Sequence, residues 1–207
     1  MKTRVVGLGA GGHAKGIIEI LRLNQDFEIV GLLDPKQELH GLDILGVPVM
    51  GGDNLLPKLK QEGVQHFFIG LGGVGDNSPR RDLFEMAIRH ELSPVDVIHP
   101  QAIISPSAVV GAGCVILAGA VVNSSARIGE NVILNTNAVL EHDCDIENHA
   151  HIATGAILAG AVHVADAVHI GVGAVVKQSI SIGRNAIVGA GAVVVKEGKV
   201  IDIVEKS

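Results

Sequence analysis

Every sixth residue from Ile104 to Val200 is Ile, Leu or Val, without a miss. A second column stands two residues before each, mostly Ala, with Cys114, Cys144, Val132, Val162, Val168, Ile180 and Gly198 filling the other places. A period of six matches neither the 3.6 of an amphipathic helix nor the 2 of an alternating strand. It is the signature of a structural repeat. Two apolar positions spaced by two point to the same side of a short strand, and that side is the interior. The residues between, rich in Gly, Asn, Ser and Asp, suit tight corners. One turn of chain buries its stripe only against the next turn, so stacked turns share a continuous core. The repeat therefore predicts a parallel β-solenoid over residues 100–207.

Residues 1–99 read as a separate domain. Thr3 to Gly9 is a buried strand, followed by a helix through Leu23. Glu28 to Asp34 is a second strand, Asn54 to Gln61 a short helix and Gln65 to Leu71 a third strand. A helix at Pro79 to His90 and a last strand at Val95 to Ile98 complete it. Strands alternating with helices imply a parallel α/β sheet of Rossmann-like type. His99-Pro100 marks the join.

Composition narrows the function. The chain is 47% hydrophobic but only 2% aromatic, and carries a net charge of −6 with no cluster of Lys and Arg among aromatics. Nucleic-acid binding is not expected. With no signal peptide and no apolar run of about 18 residues, a cytoplasmic protein without a membrane span is expected. Cys114 and Cys144 both fall in the inward column, thirty residues apart. They are expected on different faces, unbridged, and too buried to act as nucleophiles.

Two places can hold chemistry. Gly7, Gly9 and Gly12 form G-x-G-x-x-G between a strand and a helix, where a phosphate can approach backbone N–H groups at the helix N-terminus. Asp34 ends the next strand, within reach of a ribose hydroxyl. Gly70 to Gly73 ends the third strand beside them. The bland alternative is that these glycines only permit tight turns and close packing. A domain of about 100 residues supplies half of a doubly wound sheet, so a nucleotide is a better fit than a dinucleotide.

The second place is Asn135 to Gly160. His142 is two residues past inward Leu140, hence on a corner facing outward, with Glu141 and Asp143 beside it. A carboxylate next to an imidazole fixes its tautomer and stabilises its charged form, as a general base requires. One coil earlier is Ser124 and one coil later Gly160. Arg127, Asp145 and His163 are eighteen apart and read as a structural charge ladder, and His151 and His169 share another column. His149 has no evident role. A three-histidine zinc site drawn from His149, His151, His163 and His169 lacks the spacing of the carbonic anhydrases of this fold, and no metal is expected. The outward positions of the solenoid show no decisive apolar patch.

The G-x-G-x-x-G-H domain, the H-P join, the hexapeptide solenoid and the E-H-D-C segment together resemble the bacterial sugar acetyltransferases. That group includes sialic acid O-acetyltransferases and nucleotide 4-amino-sugar N-acetyltransferases of glycan biosynthesis. The resemblance implies a left-handed β-helix with three faces per coil, acetyl-CoA as donor, and a homotrimer with active sites in clefts between solenoids. It implies His142 as base with Asp143 as partner, although Glu141 is an alternative. It places Asn135 near the sugar, His151 near the acetyl group, Gly160 as an N–H donor to the acetyl carbonyl, and Val172 beside acetyl-CoA. Gly9, Gly11, His13, Asp34 and Gly70 would hold the nucleotide sugar. The tail Val195 to Ser207 lacks the G-x-P-A-[KR] ending of many such enzymes. The expected activity is N-acetylation of a nucleotide-linked amino sugar. The alternatives are O-acetylation of a sialic acid type sugar, a nucleotide-binding scaffold without catalysis, and a metal-dependent hydratase.

Overall fold

The computed structural model describes residues 2–196. The sequence expectations for Gly198, Val200 and most of the chain end fall outside those residues. The chain divides into two compact units. The first comprises Met1–Gly72 and Asp82–Val97, the second Gly73–Arg81 and the chain from Ile98. The join near residue 99 thus has a second component: a nine-residue segment from the N-terminal half groups with the solenoid.

In the first unit, β1 (Thr3–Leu8) is central, and α1 (Gly12–Leu23) follows it directly. Next come β2 (Phe27–Leu33), β3 (Asp43–Ile44), β4 (Val47–Gly51), α2 (Leu56–Gln61), β5 (His66–Ile69), α3 (Ser78–Arg89) and β6 (Ser93–Pro94). The sheet order is β3-β4-β2-β1-β5-β6, parallel apart from the β3–β4 hairpin. Val5, Val6 and Leu8 are fully buried, as the uninterrupted apolar run of a doubly covered parallel strand requires.

One element went unread in the sequence and one expectation is corrected. The β3–β4 hairpin was not foreseen, because Pro48 inside V-P-V-M-G argues against a strand. It is tolerated where the partner is only the two-residue β3 at the sheet edge. The last strand is also not Val95 to Ile98. The sheet ends at Ser93–Pro94, while Val97–Ile98 heads a sheet of the solenoid. Ile98 is six residues before Ile104, so the hexapeptide phase begins one step earlier than its first obvious member.

The second unit is a parallel β-helix of two-residue strands. Its first face contains Val115–Ile116, Ile133–Leu134, His151–Ile152, His169–Ile170 and Ile187–Val188. The second contains Ile103–Ile104, Val121–Val122, Val139–Leu140, Ile157–Leu158, Val175–Val176 and Val193–Val194. The third contains Val109–Val110, Arg127–Ile128, Asp145–Ile146, His163–Val164 and Ser181–Ile182. Partners are eighteen residues apart, as in Val121 with Val139 and Arg127 with Asp145. Three faces per coil, expected from the resemblance, are therefore present.

The second residue of each strand points inward. Ile116, Leu134, Ile152 and Ile170 stack fully buried along one face, and Cys114 and Cys144 are buried free thiols in the same core. From Gly113 to Gly191 every sixth residue has a positive φ, including Ser125, Asn131, Asn137, Asp143, His149 and Asn185. Gly, Asn and Asp tolerate this left-handed conformation best. This is why the corners carry them.

Candidate active site

The corner between the second and third faces carries His142. Its ring is exposed, and its Nδ1 lies 2.7 Å from Asp143 Oδ2. Asp143 occupies one of the left-handed corner positions, at φ 60°. That turn carries its short side chain to the imidazole of the preceding residue. A carboxylate only accepts, so Nδ1 carries the hydrogen and Nε2 holds the lone pair. Of the two flanking carboxylates it is Asp143 that bonds the ring, while among the described residues the Glu141 carboxylate makes no hydrogen bond or ion pair.

Nε2 faces Gly160, one coil further on. A Cβ built on Gly160 would lie 2.6 Å from His142 Nε2, inside any permissible contact. Gly160 is buried, and its carbonyl accepts from Ser179 N. Its own N–H makes no hydrogen bond among the described residues. The His142 Nε2 therefore lies against a glycine whose backbone N–H makes no hydrogen bond among the described residues.

The opposite corner, between the first and second faces, holds the other expected residues. His151 is buried, and its Nδ1 bonds the carbonyl of Gly73. Its Nε2 is 3.1 Å from Asn135 Nδ2, and Asn135 Oδ1 accepts from Thr136 N at 2.8 Å. Burial, followed by neighbouring His169 and Arg80, pushes the His151 imidazole down to about 4. Val172 is exposed on the same edge two coils beyond Thr136. Within one chain, His142 and the Asn135–His151 pair occupy different corners.

Three further histidines of the β-helix, His149, His163 and His169, pack against or pair with neighbouring coils. His169 lies beside His151, ring centroids 4.9 Å apart and planes tilted by 57°. His163 lies 3.4 Å from Asp145 and 3.5 Å from Glu147, completing the expected ladder of Arg127, Asp145 and His163. A hollow of about 270 Å³ on this third face is lined by Arg127, Asp145, Glu147, Asp166 and Arg184 but not by His142. His149, given no role in the sequence reading, is buried with its Nδ1 3.0 Å from Asn131 Nδ2. Both are left-handed corner residues one coil apart, and that spacing was the available signal. Burial raises the Cys144 thiol, which keeps it inert.

In the first unit, Gly9 and Gly70 are packing glycines. A Cβ on Gly70 would sit 2.2 Å from the Gly9 carbonyl oxygen, and one on Gly9 would sit 2.7 Å from Leu71 N. Gly11 and Gly12 instead have nothing within 4 Å of a Cβ position, so the N-terminus of α1 is open. His13 follows in its first turn. Asp34 Oδ2 accepts from Ala10 N at 2.9 Å and Oδ1 from Lys36 N at 3.0 Å. Asp34 therefore fixes the glycine loop, and each oxygen retains capacity for one further donor. Sequence reasoning missed Asp53, at the end of β4, whose carboxyl is raised by burial and then by Asp34.

A glycine loop on a parallel sheet, followed by a three-faced β-helix with a carboxylate-paired histidine, defines a hexapeptide-repeat acyltransferase. Two family models match: the PglD N-terminal domain over residues 4–87 and the bacterial transferase hexapeptide (six repeats) over residues 125–160. The chain is similar to PerB from Caulobacter crescentus, solved with CoA and GDP-perosamine, at 40% identity and TM-score 0.86 over 93% of this chain and 89% of that one. It is similar to the acetyltransferase domain of PglB from Neisseria gonorrhoeae with acetyl coenzyme A, at 34% identity and TM-score 0.86 over 95% and 93%. WeeI from Acinetobacter baumannii is 25% identical, TM-score 0.78, over 94% and 93%. No curated protein matches by sequence. The chain belongs to the bacterial hexapeptide-repeat sugar acetyltransferases.

Proposed function

We propose that the chain transfers acetyl from acetyl-CoA to the amino group of a nucleotide-linked amino sugar. The observation that carries this is His142, paired through Nδ1 with Asp143 and with Nε2 packed against Gly160 one coil on. The amine attacks the thioester carbonyl carbon, and the carbonyl π electrons move to oxygen. His142 Nε2 takes the proton from the new ammonium centre while Asp143 holds Nδ1–H and stabilises the imidazolium. The Gly160 N–H, unused among the described residues, would bind the oxyanion. Collapse expels CoA thiolate, which recovers the proton from the imidazolium, leaving an amide and free CoA. The open α1 N-terminus at Gly11, Gly12 and His13 suits the diphosphate of the acceptor nucleotide sugar. PerB, solved with GDP-perosamine and CoA, supports this substrate pairing. No metal enters the scheme.

Assembly as a homotrimer completes the site. The sequence reading found no decisive apolar patch, but the second face carries one: outward Ile103, Val121, Val139, Ile157, Val175 and Val193 form a continuous column. Ile103 and Val193 are each 65% exposed. Turning this face toward a threefold axis sets the His142 corner of one chain beside the Asn135–His151 corner of the next. Because acetyl-CoA and nucleotide sugars are cytoplasmic metabolites, we place the reaction in the cytoplasm. Among the described residues no helix is long and apolar enough to cross a membrane.

The test is thiol release from acetyl-CoA with GDP-perosamine, with UDP- and dTDP-linked 4-amino sugars, and with free sialic acid. Turnover on a nucleotide amino sugar is expected. Turnover on sialic acid alone would replace N- by O-acetylation, and nucleotide binding with no turnover would favour the scaffold.

A further inference from the structure

His151 stands where the family resemblance implies contact with the acetyl group, yet its hydrogen bonds are already assigned. A carbonyl oxygen only accepts, so the bond to Gly73 requires the hydrogen to be on His151 Nδ1. A neutral imidazole then presents a bare lone pair at Nε2. That lone pair faces an amide whose orientation is also fixed: Thr136 N–H donates to Asn135 Oδ1, so Nδ2 is the group turned to His151. Two independent backbone groups, the Gly73 carbonyl and the Thr136 amide, thus set the direction of both hydrogen bonds. Asn135 Nδ2 has two hydrogens. One is spent on His151, and the other belongs to a half-buried side chain on the corner edge.

We propose that His151 is a positioning residue, locked by the Gly73 carbonyl as an acceptor, and that Asn135 is the residue that meets the substrate, donating its second Nδ2 hydrogen to an oxygen there. A neutral His151 with Nδ1 occupied has no hydrogen to offer an acetyl carbonyl. Protonation at Nε2 would supply one, but burial, the adjoining His169 and buried Arg80 all oppose a positive charge there. The Gly73 carbonyl belongs to the segment that groups with the β-helix, and the same segment is tied down by Asn77 Nδ2 to Val168 O at 3.0 Å. The relay from Gly73 through His151 to Asn135 therefore lies within one unit. What Asn135 meets rests on the acetyl-transfer reading; the direction of the relay does not.

Two measurements test it. In protein labelled with ¹⁵N at histidine, His151 should show the Nδ1–H tautomer, with and without CoA, and should not titrate between about pH 5.5 and 8. An Nε2–H tautomer overturns the proposal whatever the substrate. In thiol release with acetyl-CoA and GDP-perosamine, His151→Asn keeps a donor for Gly73 but removes the acceptor for Asn135. It should lower turnover about tenfold, while the same change in an Asn135→Ala background should add nothing, as expected for residues acting as one unit. His151→Gln, which restores an acceptor near the Nε2 position, should recover part of the loss. Independent, multiplicative effects of Asn135→Ala and His151→Asn would show that His151 reaches the substrate itself and would overturn the proposal. Absence of turnover on any amino sugar would sink the acetyl-transfer reading, and the tautomer would still decide the relay.

Discussion

His142 Nε2 lies where a side chain on Gly160 would begin, 2.6 Å from the Cβ position. The glycine is required by the imidazole one coil earlier rather than by its own backbone. Because the His142 ring is exposed and able to swing aside, Gly160→Ala should fold with little change in melting temperature. It should nevertheless lower turnover roughly 10²-fold by displacing the base, and His142→Ala should lower it roughly 10²–10⁴-fold. Near-wild-type kinetics in either variant would remove His142 from the chemistry.

Asp143, not Glu141, bonds the His142 ring. Asp143→Asn should reduce kcat by at least about tenfold, because an amide neither fixes the tautomer nor stabilises the imidazolium. Glu141→Gln should leave kcat within about twofold. Steady-state kinetics on both variants decides between the two carboxyls.

Burial, His169 and Arg80 push His151 down to about 4, against about 6.5 in an unfolded chain. The native state therefore refuses a proton that the unfolded chain accepts below about pH 6.5. Stability should be complete above that pH and fall as the pH drops toward about 4, by roughly 3 kcal/mol. Denaturation midpoints measured across this range should show the slope, and His151→Gln should flatten it.

Asp34 accepts one backbone N–H on each oxygen, from Ala10 and Lys36. Asp34→Asn retains an acceptor for only one of them and should cost about 1–2 kcal/mol. GDP affinity by calorimetry should weaken about tenfold as the glycine loop loosens. An unchanged affinity would separate the loop from nucleotide binding.

The apolar column on the second face predicts a trimer that one charge disrupts. Ile157 and Val139 are paired rungs of that face. Ile157→Lys should yield monomers in sedimentation velocity and abolish turnover, because His142 and Asn135 no longer share a cleft. A monomeric wild-type protein with full activity would refute the shared-site arrangement.

Much of this molecule is legible in its repeat. The six-residue period announced the solenoid, the inward column named its core, and the offset of His142 from Leu140 put it outward on a corner. The eighteen-residue spacing of Arg127, Asp145 and His163 gave the ladder directly. Pro48 concealed β4, and the phase at Ile98 was masked by a plausible strand of the preceding sheet. The Gly9–Gly70 contact was not legible, because close approach of two backbones leaves only glycine as its trace.

Local period and residue type determined the β-helix, its buried aliphatic stack and the exposed His142 corner, because each depends on neighbours at fixed offsets along the chain. Tertiary structure alone decided which carboxylate holds His142, that Gly160 lies under its ring, and that the segment from Gly73 to Arg81 groups with the solenoid to lock His151. Those are contacts set by turn geometry and by long-range packing, and hydrogen-bond direction follows from which donor and acceptor meet, not from residue identity.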